Sequence, residues 1–222
     1  MVKIGIAGAS GYTGLELIRI LVKHPDVELS VLTSETFQGQ KISEVFPSLN
    51  GTVDLKLQPL DDSISKNCDV LFLALPHTAA MTKLPAYLQS DCKIIDLSAD
   101  YRLQDPEAYP EWYSVTHTHP ELLKKAVYGL PEIHREAIKT ARFIANPGCY
   151  PTSVILALAP LLKTGWVDLD SIISDSKSGV SGAGRKPSLT AHYCEVNEGI
   201  SPYGLAGHRH TPEMEQELSA LA

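Results

Sequence analysis

Val2-Lys3-Ile4-Gly5-Ile6-Ala7 runs directly into Gly8-Ala9-Ser10-Gly11-Tyr12-Thr13-Gly14, after which Leu15, Leu17, Ile18, Leu21 and Val22 recur at helical spacing. The first six residues are a short apolar run of the length expected for a buried parallel strand. Strand, glycine turn and helix, in that order, form the setting in which a dinucleotide pyrophosphate rests on a helix N-terminus. The glycines follow G-x-x-G-x-x-G, one residue longer than the usual spacing. Glycines also serve plain tight turns, so the position of this turn after the first strand carries the reading.

Working outward, residues 27–33 read as the second strand. Where NAD binds, an Asp or Glu near the end of that strand takes the ribose 2′-hydroxyl. Here the strand ends Leu32-Thr33-Ser34, with no carboxylate before Glu35. Neutral Thr33 and Ser34 leave room for a 2′-phosphate, which favours NADP over NAD. A short strand is expected over 52–57 and a buried one over 69–75. The latter delivers His77 and Thr78 to the carboxyl edge of a doubly wound sheet, where ligands collect. His77 reads either as a cofactor residue or as a plain helix-start residue. A helix is expected over 79–89 and a strand over 93–97, which brings Ser98-Ala99-Asp100-Tyr101-Arg102 to the same edge. The Arg102 fork matches phosphate or carboxylate geometry. Residues 106–120 read as a surface excursion, with His117 and His119 on the surface and no metal site.

A strand over 142–145 reaches Asn146-Pro147-Gly148-Cys149-Tyr150-Pro151-Thr152, and a nearly all-apolar segment leaves it. Pro147 and Gly148 break regular structure, and Pro151 suits the first turn of a helix. Cys149 therefore sits at a helix N-terminus, a setting for a nucleophile; a buried structural cysteine is the alternative. Residues 171–176 read as a strand with one exposed face. Lys177-Ser178-Gly179-Val180-Ser181-Gly182-Ala183-Gly184-Arg185-Lys186 is a second glycine-rich loop, suited to an anion or a cofactor. Gly207-His208-Arg209-His210 precedes Thr211-Pro212-Glu213, a helix start with Thr211 as N-cap and Pro212 at the first position.

Composition bounds these readings. Net charge of −7 argues against a nucleic-acid or anionic-membrane surface, and no apolar run has membrane-spanning length. The absence of a charged segment followed by an apolar one at the start suggests no signal peptide. Cys68, Cys92, Cys149 and Cys194 lie far apart, which points to a reducing, cytoplasmic setting rather than a disulfide framework.

Five stretches, beginning at Gly8, Leu97, Asn146, Lys177 and Gly207, together resemble the N-acetyl-gamma-glutamyl-phosphate reductases, relatives of aspartate-semialdehyde dehydrogenase. The resemblance implies an α/β protein: a Rossmann-type NADP-binding domain over 1–148, then an α+β catalytic and dimerisation domain over 149–222. Members of that family are longer, so the second domain is expected to be truncated at its C-terminus. Cys149 would be the nucleophile and His208 or His210 the acid/base. Arg102 would hold the substrate phosphate, with Ser98, Asn146 and Arg185 completing the substrate set. NADP would lie on Gly8, Ser10, Gly11, Tyr12, Thr13, Gly14, Thr33, Ser34 and His77, and on Ser178, Gly179, Ser181 and Gly182 of the second loop. The expected partner is a small-molecule acyl phosphate, bound by a homo-oligomer with no nucleic-acid or membrane partner. Two rivals stand beside this: a sister enzyme acting on aspartyl phosphate, and a non-catalytic NADP-binding module.

Overall fold

A computed structural model describes residues 1–205 and 207–222. Six parallel strands form one sheet: β1 Val2–Ala7, β2 Val27–Leu32, β3 Val70–Leu73, β4 Lys93–Asp96, β5 Val127–Tyr128 and β6 Phe143–Ala145. Their order is β2-β1-β3-β4-β6-β5, so the chain winds one way from β1 and then the other. The crevice where that direction reverses lies at the carboxyl ends of β1 and β3, the usual ligand position in such sheets.

The strands are apolar on both faces, and helices cover both. On one face Ile4, Ile6 and Leu32 pack with Ile18 of α1 (Tyr12–Leu21), Ile42 of α2 (Ile42–Val45), Phe46 and Leu57. On the other, Leu71, Leu73, Ile94 and Phe143 pack with Met81, Leu84 and Tyr87 of α3 (Ala79–Tyr87) and Tyr109 of α4 (Ala108–Tyr113). A third cluster seats Ile155 of α6 (Cys149–Leu162) and Leu218 of α8 (Thr211–Ser219) against Tyr128 and Leu130. Between β5 and β6 lies α5 (Pro131–Thr140).

Several expectations change here. His117 is buried, with Nε2 2.8 Å from the Asp100 carbonyl and its ring against Tyr101 and Tyr109. Tyr109 and His117 thus belong to the interior, where their rings pack with Tyr101, while Glu107, Pro110, Glu111, Ser114, Thr116, Thr118 and Pro120 stay exposed. Over 52–57 there is no ladder; Lys56 and Gln58 make isolated bridges to Lys41 and Thr33. Residues 171–176 are not a strand either. Residues 172–176 lie along Ser153, Val154, Ala157 and Leu158 of α6 without a strand partner among the described residues. A lone extended segment gains nothing from β geometry until another edge pairs with it. Residues 163–205, including the short α7 (Tyr193–Val196), are almost wholly exposed, with Ile173 at 93%.

Candidate active site

The glycine turn is shaped by contacts that exclude larger residues. Gly8 has φ +85, and a Cβ there would stand 2.3 Å from the Ala74 carbonyl oxygen. A Cβ at Gly14 would lie 2.7 Å from Ala9, so that glycine lets α1 pack on the turn. Gly11 differs: a Cβ would meet only the Gly8 carbonyl oxygen, at 3.7 Å. The fold does not require its missing side chain, which leaves room over the first turn of α1. Gly11 is the N-cap and offers no side-chain acceptor, so the first N–H groups of α1 face that space. This is a cradle that fits a pyrophosphate. The Thr33 hydroxyl accepts the Gly8 N–H at 3.3 Å, and the Ser34 hydroxyl pairs with that of Ser10 at 2.8 Å. The Glu35 carboxylate is held away, accepting the Leu60 N–H.

At the other turn, Gly148 is the N-cap of α6 and Cys149 its first residue, with an exposed side chain. His208 and His210 come to the same place from the start of α8. The Tyr150 ring lies 5.3 Å from that of His208 and 5.9 Å from that of His210. A Cβ at Gly148 would fall 2.7 Å from His210 Nε2, so only glycine lets the imidazole lie against the nucleophile turn. The His208 Nδ1 accepts the His210 backbone N–H, which assigns the proton of a neutral His208 to Nε2. His210 is buried and its Nδ1 has no hydrogen-bond partner among the described residues. Burial, with Arg102 next, pushes the His210 pKa down to about 3; burial and Arg209 lower that of His208. Both rings are therefore neutral near pH 7.

Three of the expected substrate residues are engaged elsewhere. Arg102 is buried; its Nε donates to the Asn146 carbonyl and Nη2 to the Leu97 carbonyl, while Nη1 lies 3.7 Å from Glu213. It ties β4, β6 and α8 together at their meeting point. The Ser98 hydroxyl donates to Asp96 and accepts the Asp100 N–H, so it closes a buried turn. Arg185 reaches back to the first turn, where Nη1 donates to the Ser10 carbonyl and the guanidinium lies over Phe46 and Phe37. Only Asn146 stays beside Cys149. In the second glycine loop, Ser178, Gly179, Ser181 and Gly182 bond only within the loop among the described residues. The helix start also shifts by one: His210 is the N-cap and Thr211 the first residue.

A cleft of about 210 Å³ is lined by His77, Asp100, Trp112, Tyr113 and Arg209 among others; Cys149, His208 and His210 are not part of its lining. His77 Nδ1 accepts the Ala99 N–H, and burial, with Arg209 next, lowers its pKa. Thr78 holds φ 74 in the left-handed region, fixed by the Asp100 carboxylate, which accepts the Thr78 and Met81 N–H groups. Arg209, Asp100 and Glu213 did not stand out in the sequence. Arg209 lies between the two histidines, and that spacing is the signal that marks it.

A family model described as "Semialdehyde dehydrogenase, NAD binding domain" matches residues 3–141, and one described as "Semialdehyde dehydrogenase, dimerisation domain" matches residues 149–222. Proteins named N-acetyl-gamma-glutamyl-phosphate reductase are similar over the whole chain: 57% identical in Pelobacter propionicus and 54% in Geobacter sulfurreducens. The chain spans 64% of the length of these curated relatives. Among solved structures, Candida albicans aspartate semialdehyde dehydrogenase with NADP matches with a TM-score of 0.64 at 18% identity, over 100% of this chain and 60% of that one. The aspartate semialdehyde dehydrogenase II of Vibrio cholerae gives 0.55 at 18%, over 73% of this chain and 47% of that one. At such identities these two speak to the fold alone.

Proposed function

The chain belongs to the semialdehyde dehydrogenase family, and from that premise we propose that the protein reduces N-acetyl-γ-glutamyl phosphate to N-acetylglutamate 5-semialdehyde with NADPH, a step of arginine biosynthesis. The observation that carries the chemistry is Cys149, exposed at the open end of α6 beside two neutral imidazoles. The names of the 54–57% identical relatives support the substrate. Residues 1–148 serve as the dinucleotide domain, and 149–222 begin the catalytic domain. The description of the second matched model supports a homo-oligomer. Among the described residues no helix is long and apolar enough to cross a membrane. Cys68 and Cys92, far apart in sequence, bring their sulfurs within 3.7 Å yet stay free thiols, and it is this unpaired state that supports our placing the enzyme in a reducing cytoplasm.

Cys149 Sγ bonds to the acyl carbon as the bond from that carbon to the phosphate oxygen breaks. The Sγ proton passes to an imidazole nitrogen of His208 or His210 and on to the departing phosphate, leaving a thioester. Reduced nicotinamide, when bound, supplies a hydride equivalent. The first-turn N–H groups of α1 and the open face of Gly11 would hold the dinucleotide. The oxyanion resulting from hydride addition collapses to the aldehyde as the carbon–sulfur bond breaks, and the Cys149 thiolate regains a proton from solvent through the histidine. Arg209, exposed at the cleft that His77 and Asp100 line, is the cation we assign to the substrate phosphate.

Aspartyl phosphate fits less well, because its free amine needs a carboxylate. The Asp100 carboxylate is already occupied by two N–H groups, and Glu213 is fully buried. The test is run in reverse on a full-length protein carrying this chain, following NADPH formation with phosphate present. N-acetylglutamate semialdehyde should react at least about 100-fold faster than aspartate semialdehyde, within the range that unpaired polar groups impose on selectivity. Comparable rates would overturn the substrate assignment.

Cofactor choice is read at Ser10 and Ser34, with Arg185 as the cation for a 2′-phosphate. Arg185→Ala should weaken NADP about tenfold in a fluorescence titration and leave NAD unchanged. An equal loss for both would show that Arg185 holds only the turn.

A further inference from the structure

Glu213 is fully buried, at 0% exposure. Its Oε1 accepts two hydrogen bonds, from the Tyr128 hydroxyl at 2.7 Å and from the Gly148 backbone N–H at 2.8 Å. Tyr128 ends β5, and Gly148 precedes the cysteine. Its Oε2 has no hydrogen-bond partner among the described residues and faces Arg102 Nη1 at 3.7 Å. A Cβ at Gly148 would lie 3.0 Å from that same oxygen and 2.7 Å from His210 Nε2. One side chain on α8 therefore grips the turn that carries Cys149, and the residue that caps α8 presses its imidazole on the same glycine.

Resting on the reading of Cys149 as nucleophile, we propose that Glu213 is a positioning residue: its Oε1, by holding the Gly148 N–H, fixes the nucleophile turn against β5 and registers it with the histidine on α8. It touches neither substrate nor cofactor and acts through the backbone of Gly148. A buried carboxylate is costly unless paired and hydrogen-bonded, and this one has Arg102 at 3.7 Å and two donors on Oε1. The cost is met where three elements must agree in position. Without the acceptor, the Gly148 N–H and the Tyr128 hydroxyl are both left unsatisfied, and the first turn of α6 loosens where the cysteine stands.

The experiment measures alkylation by iodoacetamide, residue by residue, by mass spectrometry on the intact chain. Cys194 is exposed and serves as the ordinary thiol; Cys68 and Cys92 are buried and report unfolding. The Cys149 to Cys194 rate ratio should be about tenfold in the unsubstituted chain, as for a cysteine at a helix N-terminus. Glu213→Gln keeps an oxygen acceptor for both donors and should hold that ratio within about twofold. Glu213→Ala should bring it to about one while Cys68 and Cys92 stay unreactive. If Glu213→Ala exposes the buried pair, Glu213→Asp decides: it withdraws the carboxylate by one methylene, and a ratio falling by about threefold or more supports the proposal. An unchanged ratio in Ala with the buried pair protected, an unchanged ratio in Asp where Ala unfolds, or an equal fall in Gln, overturns it. A ratio near one in the unsubstituted chain would sink the nucleophile reading and this proposal with it, whereas a high ratio indifferent to Glu213 sinks this proposal alone.

Discussion

Cys149→Ser should lower acyl-phosphate reduction by about three orders of magnitude or more, with NADP binding unchanged. The cysteine is the first residue of α6 and its side chain is exposed, so its sulfur supports no core packing. Surface replacements of this kind usually move stability by less than about 0.5 kcal/mol. Serine keeps the shape and the hydrogen-bonding capacity but is the weaker nucleophile near neutral pH. It is also a poorer leaving group when the tetrahedral adduct must release the aldehyde. The neutral imidazoles beside it do not compensate, since burial holds His210 far below the range in which it would activate an alcohol strongly. Turnover, an NADP titration and a search for the acylated Cys149 peptide by mass spectrometry together check the expectation. Retention of more than about a tenth of the activity by Cys149→Ser would mean that hydride reaches the acyl phosphate without a thioester.

The first half of the chain was readable because its signals are local. An apolar run before Gly8 and a helical repeat after Gly14 need no tertiary knowledge to interpret, and the sheet places both turns at one edge as expected. What could not be read was the use of a polar side chain once buried. Arg102 has the chemistry of a phosphate ligand, yet its donors are consumed by the carbonyl of Leu97, five residues before it, and by that of Asn146, 44 residues after it. His117 lies in a polar stretch and gives no periodic hint of its packing between Tyr101 and Tyr109. Glu213 occupies an ordinary first-turn position for an acidic residue, where favour from the helix dipole is explanation enough. Its bond to Gly148 spans 65 residues and cannot be seen in a helix pattern. The expected strand at 171–176 failed for a related reason: alternation specifies which face is apolar, but a strand exists only when a neighbour pairs with it.

Arg102→Met should destabilise the fold, by about 3 to 5 kcal/mol at pH 8, rather than act first on substrate affinity. The substitution keeps a long unbranched side chain but removes three things at once: the donor to the Asn146 carbonyl, the donor to the Leu97 carbonyl, and the positive charge beside Glu213. Both partners of the ion pair are buried, so solvent cannot replace the lost charge. Burial already raises the Glu213 carboxyl above its ordinary 4.5, and Arg102 is the main influence opposing that rise. With a folded value above the unfolded one, folded and unfolded chains bind the same proton below 4.5. As pH climbs towards the folded value the unfolded chain gives its proton up first, so stability falls through that interval. Removing Arg102 raises the folded value further and lengthens the interval. The deficit of Arg102→Met should therefore be smallest near pH 5 and largest at pH 8, where a chain of this size should melt on the order of 10 °C lower. Thermal melts of both proteins at the two pH values measure it. Equal melting temperatures at both, joined to a loss of affinity for the phosphorylated substrate, would return Arg102 to the ligand role its guanidinium suggests in the sequence.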